Sequence, residues 1–153
     1  MTTLELKIPP PVLALGLALL MWLTSLVFEP WPMPFGVRLG AALALVAIGQ
    51  SISISGILLF RRAGTTVNPL KPDAASSLIT NGVYRFTRNP MYIGLLLTLS
   101  GWAAFLSSPV ALLYLAVFVL YMNRFQIEPE ERVLSSLFGA GYAAYQARVR
   151  RWL

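Results

Sequence analysis

The chain contains no cysteine and no histidine, and only six of its 153 residues are acidic. Without cysteine there is no disulfide framework and no thiolate site. Without histidine the commonest general base and the commonest metal ligand are both missing. A zinc or haem enzyme is therefore excluded as a working reading, and no metal is expected. Charged residues reach only 12% of the total, about half of what soluble chains carry.

Apolar residues fill the space that charge leaves. They make up 57% of the chain, and the mean hydropathy is +0.69. A water-soluble fold of this size would have to expose much of that surface, so the composition points to an all-α integral membrane protein. The net charge of +6 is not a nucleic-acid footprint, because the basic residues flank apolar runs and do not fill one polar domain.

Four apolar segments stand out, at residues 12–28, 39–60, 91–106 and 110–122. A spanning helix needs about 20 residues, which the second meets and the first approaches. The third and fourth are short and separated by Ser107, Ser108 and Pro109, so they read as a helical hairpin. About four transmembrane helices are expected, followed by a cytoplasmic C-terminal helical segment. The whole forms one domain, with residues 1–60 as an N-terminal helix pair and 61–153 as the core. The first segment offers no small-residue cleavage site in "LTSLVFEP" and is expected to be retained.

Orientation follows from the arginines and lysines. Lys7 precedes the first segment; Arg61, Arg62, Lys71, Arg85 and Arg88 lie between the second and third; Arg124, Arg132, Arg148, Arg150 and Arg151 follow the fourth. The positive-inside rule then places both termini and the central loop in the cytoplasm, in a bacterial-type inner membrane, and only Arg38 violates it. In the second segment, Gly49 with Ser53 and Ser51 with Ser55 would let another helix approach closely. Gln50 beside them needs a partner if buried.

Two polar clusters sit at the cytoplasmic ends of the hairpin. The first is "YRFTRNPMY", with Arg85, Arg88, Asn89 and Tyr92 where the apolar run begins. Interfacial anchoring would account for arginine and tyrosine, but not for Asn89. The second is "PEER", with Pro129 suited to a helix start and Glu128, Glu130 and Glu131 near the positive end of that helix's dipole. Adjacent helical residues diverge by about 100°, so Glu130 and Glu131 cannot serve one ligand equally. A closed hairpin would bring the two clusters together. Further on, Tyr142, Tyr145, Val149 and Trp152 share one face, as in a helix lying on anionic lipid or a lid over a site. "GAGYAA" at residues 139–144 lacks the βαβ setting of a dinucleotide fingerprint and reads as a helix break. The polar connection at residues 61–82 is long enough to suggest a functional loop.

These motifs in this order, "GVYRFTRNPMYIG" and then "EERVLSSLFGAGYAAYQARV", resemble the isoprenylcysteine carboxyl methyltransferase family, which is related to the membrane phospholipid methyltransferases. The resemblance covers roughly residues 61–150. It implies an enzyme that takes S-adenosylmethionine from the cytoplasm and methylates a hydrophobic or lipid-borne acceptor, whether carboxylate, amine or thiol. It also implies a cofactor site formed by Ser76, Ser77, Leu78, Ile79, Tyr84, Asn89, Pro90, Met91, Tyr92 and Glu130. Asn89 stands where eukaryotic members have histidine. Gln126 aligns with a substrate-side arginine, with Arg124 two residues earlier. Arg88 and Arg124 are expected to receive a carboxylate or phosphate, since guanidinium matches both, and Glu131 or water is the candidate base. The rival readings are a membrane lipid or sterol reductase using NADPH and a non-enzymatic lipid-binding membrane protein. Oligomeric state is left open.

Overall fold

A computed structural model describes residues 5–64 and 72–153. These residues are helical, with no strand among them. Helix α1 covers Pro10–Ser25 and α2 covers Phe35–Arg62. Two single turns of 3-10 helix follow, at Pro72–Ala74 and Gly82–Arg85. Helix α3 runs over Pro90–Leu106, α4 over Ala111–Tyr121 and α5 over Glu128–Arg148. Residues 65–71, Lys71 included, of the polar connection singled out in the sequence lie outside the described residues.

Helix α3 is the centre of the molecule, packed along α2 on one side and against α1 and α4 on the other. Its contact with α2 is close because small residues meet there. A Cβ on Gly49 would sit 2.7 Å from the carbonyl oxygen of Gly94, and one on Gly94 would overlap the hydroxyl of Ser53. Gly49 and Ser53 thus form the predicted contact face, and it is used within the chain. Ser51 and Ser55 do not share it: their hydroxyls donate to the carbonyls of Ala47 and Ser51 on their own helix. Gln50 is exposed and donates to Thr98 Oγ1 at 3.0 Å, a cross-link between α2 and α3.

Ser107 closes α3 in the left-handed conformation (φ 53°, ψ 31°). Its backbone and hydroxyl exchange hydrogen bonds with Trp31, tying the α3–α4 turn to the α1–α2 loop. At this end Arg38 finds its reason. Its guanidinium donates to the carbonyl of Phe105 and lies 5.6 Å from that residue's ring centroid. It satisfies a carbonyl of the last α3 turn.

The PEER motif does not begin a helix. Helix α4 passes through a π-helical stretch, Met122–Ile127, straight into α5, and Ala111–Arg148 is one helix of 38 residues. Proline has no N–H and its ring crowds the carbonyl four residues back. For Pro129 that carbonyl belongs to Phe125, and the N–H of Leu6 donates to it at 3.0 Å. The wider π turn accommodates the ring, and the N-terminal segment takes the orphaned acceptor. Since the backbone is helical on both sides, the expected dipole stabilisation of Glu128, Glu130 and Glu131 has no helix end to act from.

Helix α2 and the long helix from Ala111 are long and apolar enough to cross a membrane, while α1 and α3 are shorter apolar helices. Leu15, Leu19, Leu43, Ile54, Leu113 and Leu120 point outward, as an integral membrane protein requires. The apolar stretch of the long helix ends before Glu128. Its continuation, α5, carries Glu128, Glu130, Glu131, Arg132 and Arg148 beyond the apolar layer.

Candidate functional site

The site forms where the C-terminal end of α2, the N-terminal end of α3 and the first turns of α5 converge. Gly82 (φ 56°) starts the 3-10 turn that carries Tyr84 inward. Gly56 of α2 leaves room for it, since a Cβ there would lie 3.3 Å from the Tyr84 hydroxyl and 3.2 Å from Pro90 Cγ. The Tyr84 ring is buried, 5.4 Å from that of Phe60. Its carbonyl accepts a 2.7 Å hydrogen bond from the Tyr145 hydroxyl. Tyr84, Tyr142, Tyr145 and Val149 thus form a second apolar cluster.

Glu130 is held from two sides. The Tyr92 hydroxyl donates to its Oε1 at 2.5 Å, and Gln126 Nε2 donates to the same oxygen at 2.6 Å. Glu131 faces a different set. Arg88 Nη2 lies 2.9 Å from its Oε1, and Arg151 donates to both oxygens, at 3.2 Å and 2.7 Å. The two adjacent carboxylates serve separate partners, as their angular separation demands.

Glu130 lies outside the apolar segments, and burial pushes its carboxyl from 4.5 up to about 7. The hydrogen bonds from Tyr92 and Gln126 oppose that rise, and the neighbouring Glu131 charge adds to it. Burial likewise raises the Tyr84 phenol, helped by Tyr145 and Glu130, so it stays protonated at neutral pH.

Around these residues lies a cleft of ≈ 850 Å³, its open mouth included. Of the ten positions named for a cofactor, Ser77, Leu78, Ile79, Tyr84, Asn89, Pro90, Met91, Tyr92 and Glu130 line it. Ser76 is exposed and does not. Arg88 and Glu131 also line it. Arg124 is a correction: it is exposed, outside the cleft, and paired with Glu128 at 3.1 Å. The unbroken helix explains this, because its phase through the π turn carries Arg124 outward and Gln126 inward.

Phe60, Pro72, Ala75, Ile127 and Leu134 complete the lining and were not anticipated, while Tyr142 and Tyr145 line it as the lid alternative had suggested. The face shared by Tyr142, Tyr145 and Val149 was legible, but it packs on protein and not on lipid. Helix α5 ends at Arg148, and Trp152 reaches back to donate to Asn123 Oδ1 at 3.0 Å. The predicted break is real: Gly139 has φ 49° and ψ −125°, a kink within α5.

The lining suits a ligand with a cationic centre, hydroxyl groups and a flat apolar part. Glu130 offers a largely buried carboxylate with no cation paired to it among the described residues. Ser77 Oγ, Tyr84 Oη and Arg88 Nε are buried with no hydrogen-bond partner among the described residues. Buried polar groups in native proteins are nearly always satisfied, and three such unpartnered atoms line this one cleft among the described residues. Leu78, Ile79 and Leu134 supply apolar walls.

The family model for phospholipid methyltransferase matches residues 37–141, which include both motifs. Protein-S-isoprenylcysteine O-methyltransferase A of Arabidopsis thaliana is 31% identical over 143 residues, 90% of this chain and 70% of that protein. The Schizosaccharomyces pombe protein-S-isoprenylcysteine O-methyltransferase is 26% identical over 115 residues, 75% of this chain and 49% of its own length. An uncharacterized protein of Haemophilus influenzae is 46% identical over 63 residues, 41% of this chain and all of that protein. No solved structure matches the chain.

Proposed function

The chain belongs to the phospholipid methyltransferase family and is a membrane methyltransferase, and from that premise we propose that S-adenosylmethionine is its methyl donor, bound in this cleft from the cytoplasm, and that the acceptor is lipid-borne. The observation that carries the reading is Glu130, a largely buried carboxylate fixed by Tyr92 and Gln126, which among the described residues has no paired cation and stands beside three unpartnered polar atoms.

When bound, S-adenosylmethionine supplies a methyl group already activated by the sulfonium charge. The protein then needs no covalent intermediate; its work is to bind, orient and exclude water. Fixing two reactants in productive geometry can contribute ~7–11 kcal/mol to lowering the barrier. In this reading Glu130 holds the cationic or hydroxyl groups of the donor, Tyr84 and Ser77 complete its hydrogen bonds, and the apolar wall takes the adenine.

Glu131 is poorly placed to act as a base. Its carboxylate already accepts from Arg88 and Arg151. This supports an acceptor that is nucleophilic without losing a proton at neutral pH, such as a carboxylate. The cytoplasmic placement is supported by charge: Arg61, Arg62, Arg85, Arg88, Arg132, Arg148, Arg150 and Arg151 surround the cleft end of the helices, and Arg38 sits at the other. An NADPH-binding reductase fits less well, since the cleft carries two carboxylates that would repel a 2′-phosphate.

Calorimetric titration of detergent-purified protein tests the proposal. Saturable binding of S-adenosylmethionine, absent with NADPH and lost in Glu130→Gln, is the expected result. Binding of NADPH instead, or of neither in a folded sample, would overturn it.

A further inference from the structure

Arg151 lies outside the cleft, yet it is tied to it at several points. The chain leaves α5 at Val149 and lays residues 150–152 across the segment before α3. The N–H of Arg88 donates to the carbonyl of Arg150 at 3.0 Å. Thr87 Oγ1 and Asn89 Nδ2 donate to the carbonyl of Arg151 at 3.2 Å and 2.9 Å. The Arg151 side chain then reaches Glu131 with two hydrogen bonds. Two arginines, one from the segment before α3 and one from the C-terminal tail, thus share a single carboxylate.

The sharing is unequal. Arg151 engages both Glu131 oxygens, whereas Arg88 contributes only Nη2, to Oε1. Arg88 Nε is left buried and unpartnered among the described residues, in a side chain that lines the cleft. An arginine beside a free carboxylate prefers to present two parallel N–H groups to it. Arg151, by occupying Glu131, prevents Arg88 from spending its Nε in that way.

We infer that Arg151 is a positioning residue that keeps Arg88 Nε available as an anion-binding donor, and that its ligand is the α-carboxylate of the methyl donor. The inference rests on the donor reading above and names the subsite for the donor's amino-acid end. The opposed charges of that end are then divided, the cationic groups toward Glu130 and the carboxylate toward Arg88. Without Arg151, the Glu131 carboxylate turns onto Arg88, and Nε is consumed internally.

The test compares S-adenosylmethionine with decarboxylated S-adenosylmethionine, which differs by the carboxylate alone, by titration calorimetry on the full chain. Wild type should prefer the carboxylated donor by roughly tenfold or more, the scale of a charge-assisted hydrogen bond. Arg151→Ala should lose that preference while still binding the decarboxylated compound, and Arg151→Lys should recover part of it. A merely structural role for the tail would weaken both ligands alike. A wild type without the preference, or an Arg151→Ala that keeps it, overturns the inference and leaves the donor site standing. A wild type that binds neither compound overturns the donor reading itself. If Arg151→Ala does not fold, the wild-type preference and the Arg151→Lys variant still decide.

Discussion

The Tyr92 hydroxyl and the Glu130 carboxylate meet at 2.5 Å, joining the first turn of α3 to the first turn of α5. This one bond connects the two polar clusters that lie 38 residues apart in the chain. It also stabilises the ionised form of a carboxyl that burial otherwise disfavours. Tyr92→Phe should therefore weaken S-adenosylmethionine binding by roughly tenfold, the loss expected for a hydrogen bond to a charged group. Helix content by circular dichroism should be unchanged. Affinity equal to wild type would show that Gln126 alone suffices to hold Glu130.

The pH dependence of donor binding follows from Glu130. Its carboxyl sits at about 7 in the folded protein against an ordinary 4.5. The folded chain therefore holds a proton between those values that the unfolded chain has released, and this group opposes folding increasingly as pH rises through that window. Binding a cation requires the carboxylate, so below about 7 affinity should fall, approaching tenfold per pH unit. Above about 8 it should be flat. Glu130→Gln should lose donor binding at every pH and, having no buried charge to desolvate, melt higher than wild type at pH 8.

The α2–α3 crossing tolerates no added methyl group. Gly94→Ala places a Cβ against Ser53 Oγ and 2.5 Å from the carbonyl of Gly49. Overpacking of this kind costs about 1–3 kcal/mol, so the thermal midpoint in detergent should drop. Gly40→Ala, with nothing within 4 Å, is the control and should not lower it. Equal melting of the two would mean that the helices are farther apart.

Gly139 permits the kink that turns Tyr142 and Tyr145 back over the cleft. At φ 49° and ψ −125° a side chain is strained even though space is open around it. Gly139→Ala should cost about 1–3 kcal/mol of stability and weaken donor binding with it. Gly141→Ala, also with open space and no positive φ, should affect neither.

Local composition determined much of this protein. The apolar segments announced a helical membrane protein because helix length and hydrophobicity are properties of consecutive residues. Arg88, Asn89, Tyr92 and Glu130 were legible because polar residues at the edge of an apolar run require a reason, whereas Ser77, Leu78, Ile79 and Tyr84 were reached only through the family resemblance. The Gly139 break was legible for the same local reason. Tertiary structure decided the rest. The direction in which Arg124 and Gln126 point depends on helix phase through a π turn, and that turn exists because Pro129 withholds an N–H that Leu6 then replaces from the other end of the chain. Whether Tyr142 and Tyr145 face lipid or protein depends on what α5 folds back upon. Arg151 enters the site through backbone carbonyls, which every residue carries and no side-chain pattern reveals. Bonds between distant parts of a chain leave no periodicity in the sequence, and here they set which charges in the cleft remain free for a ligand.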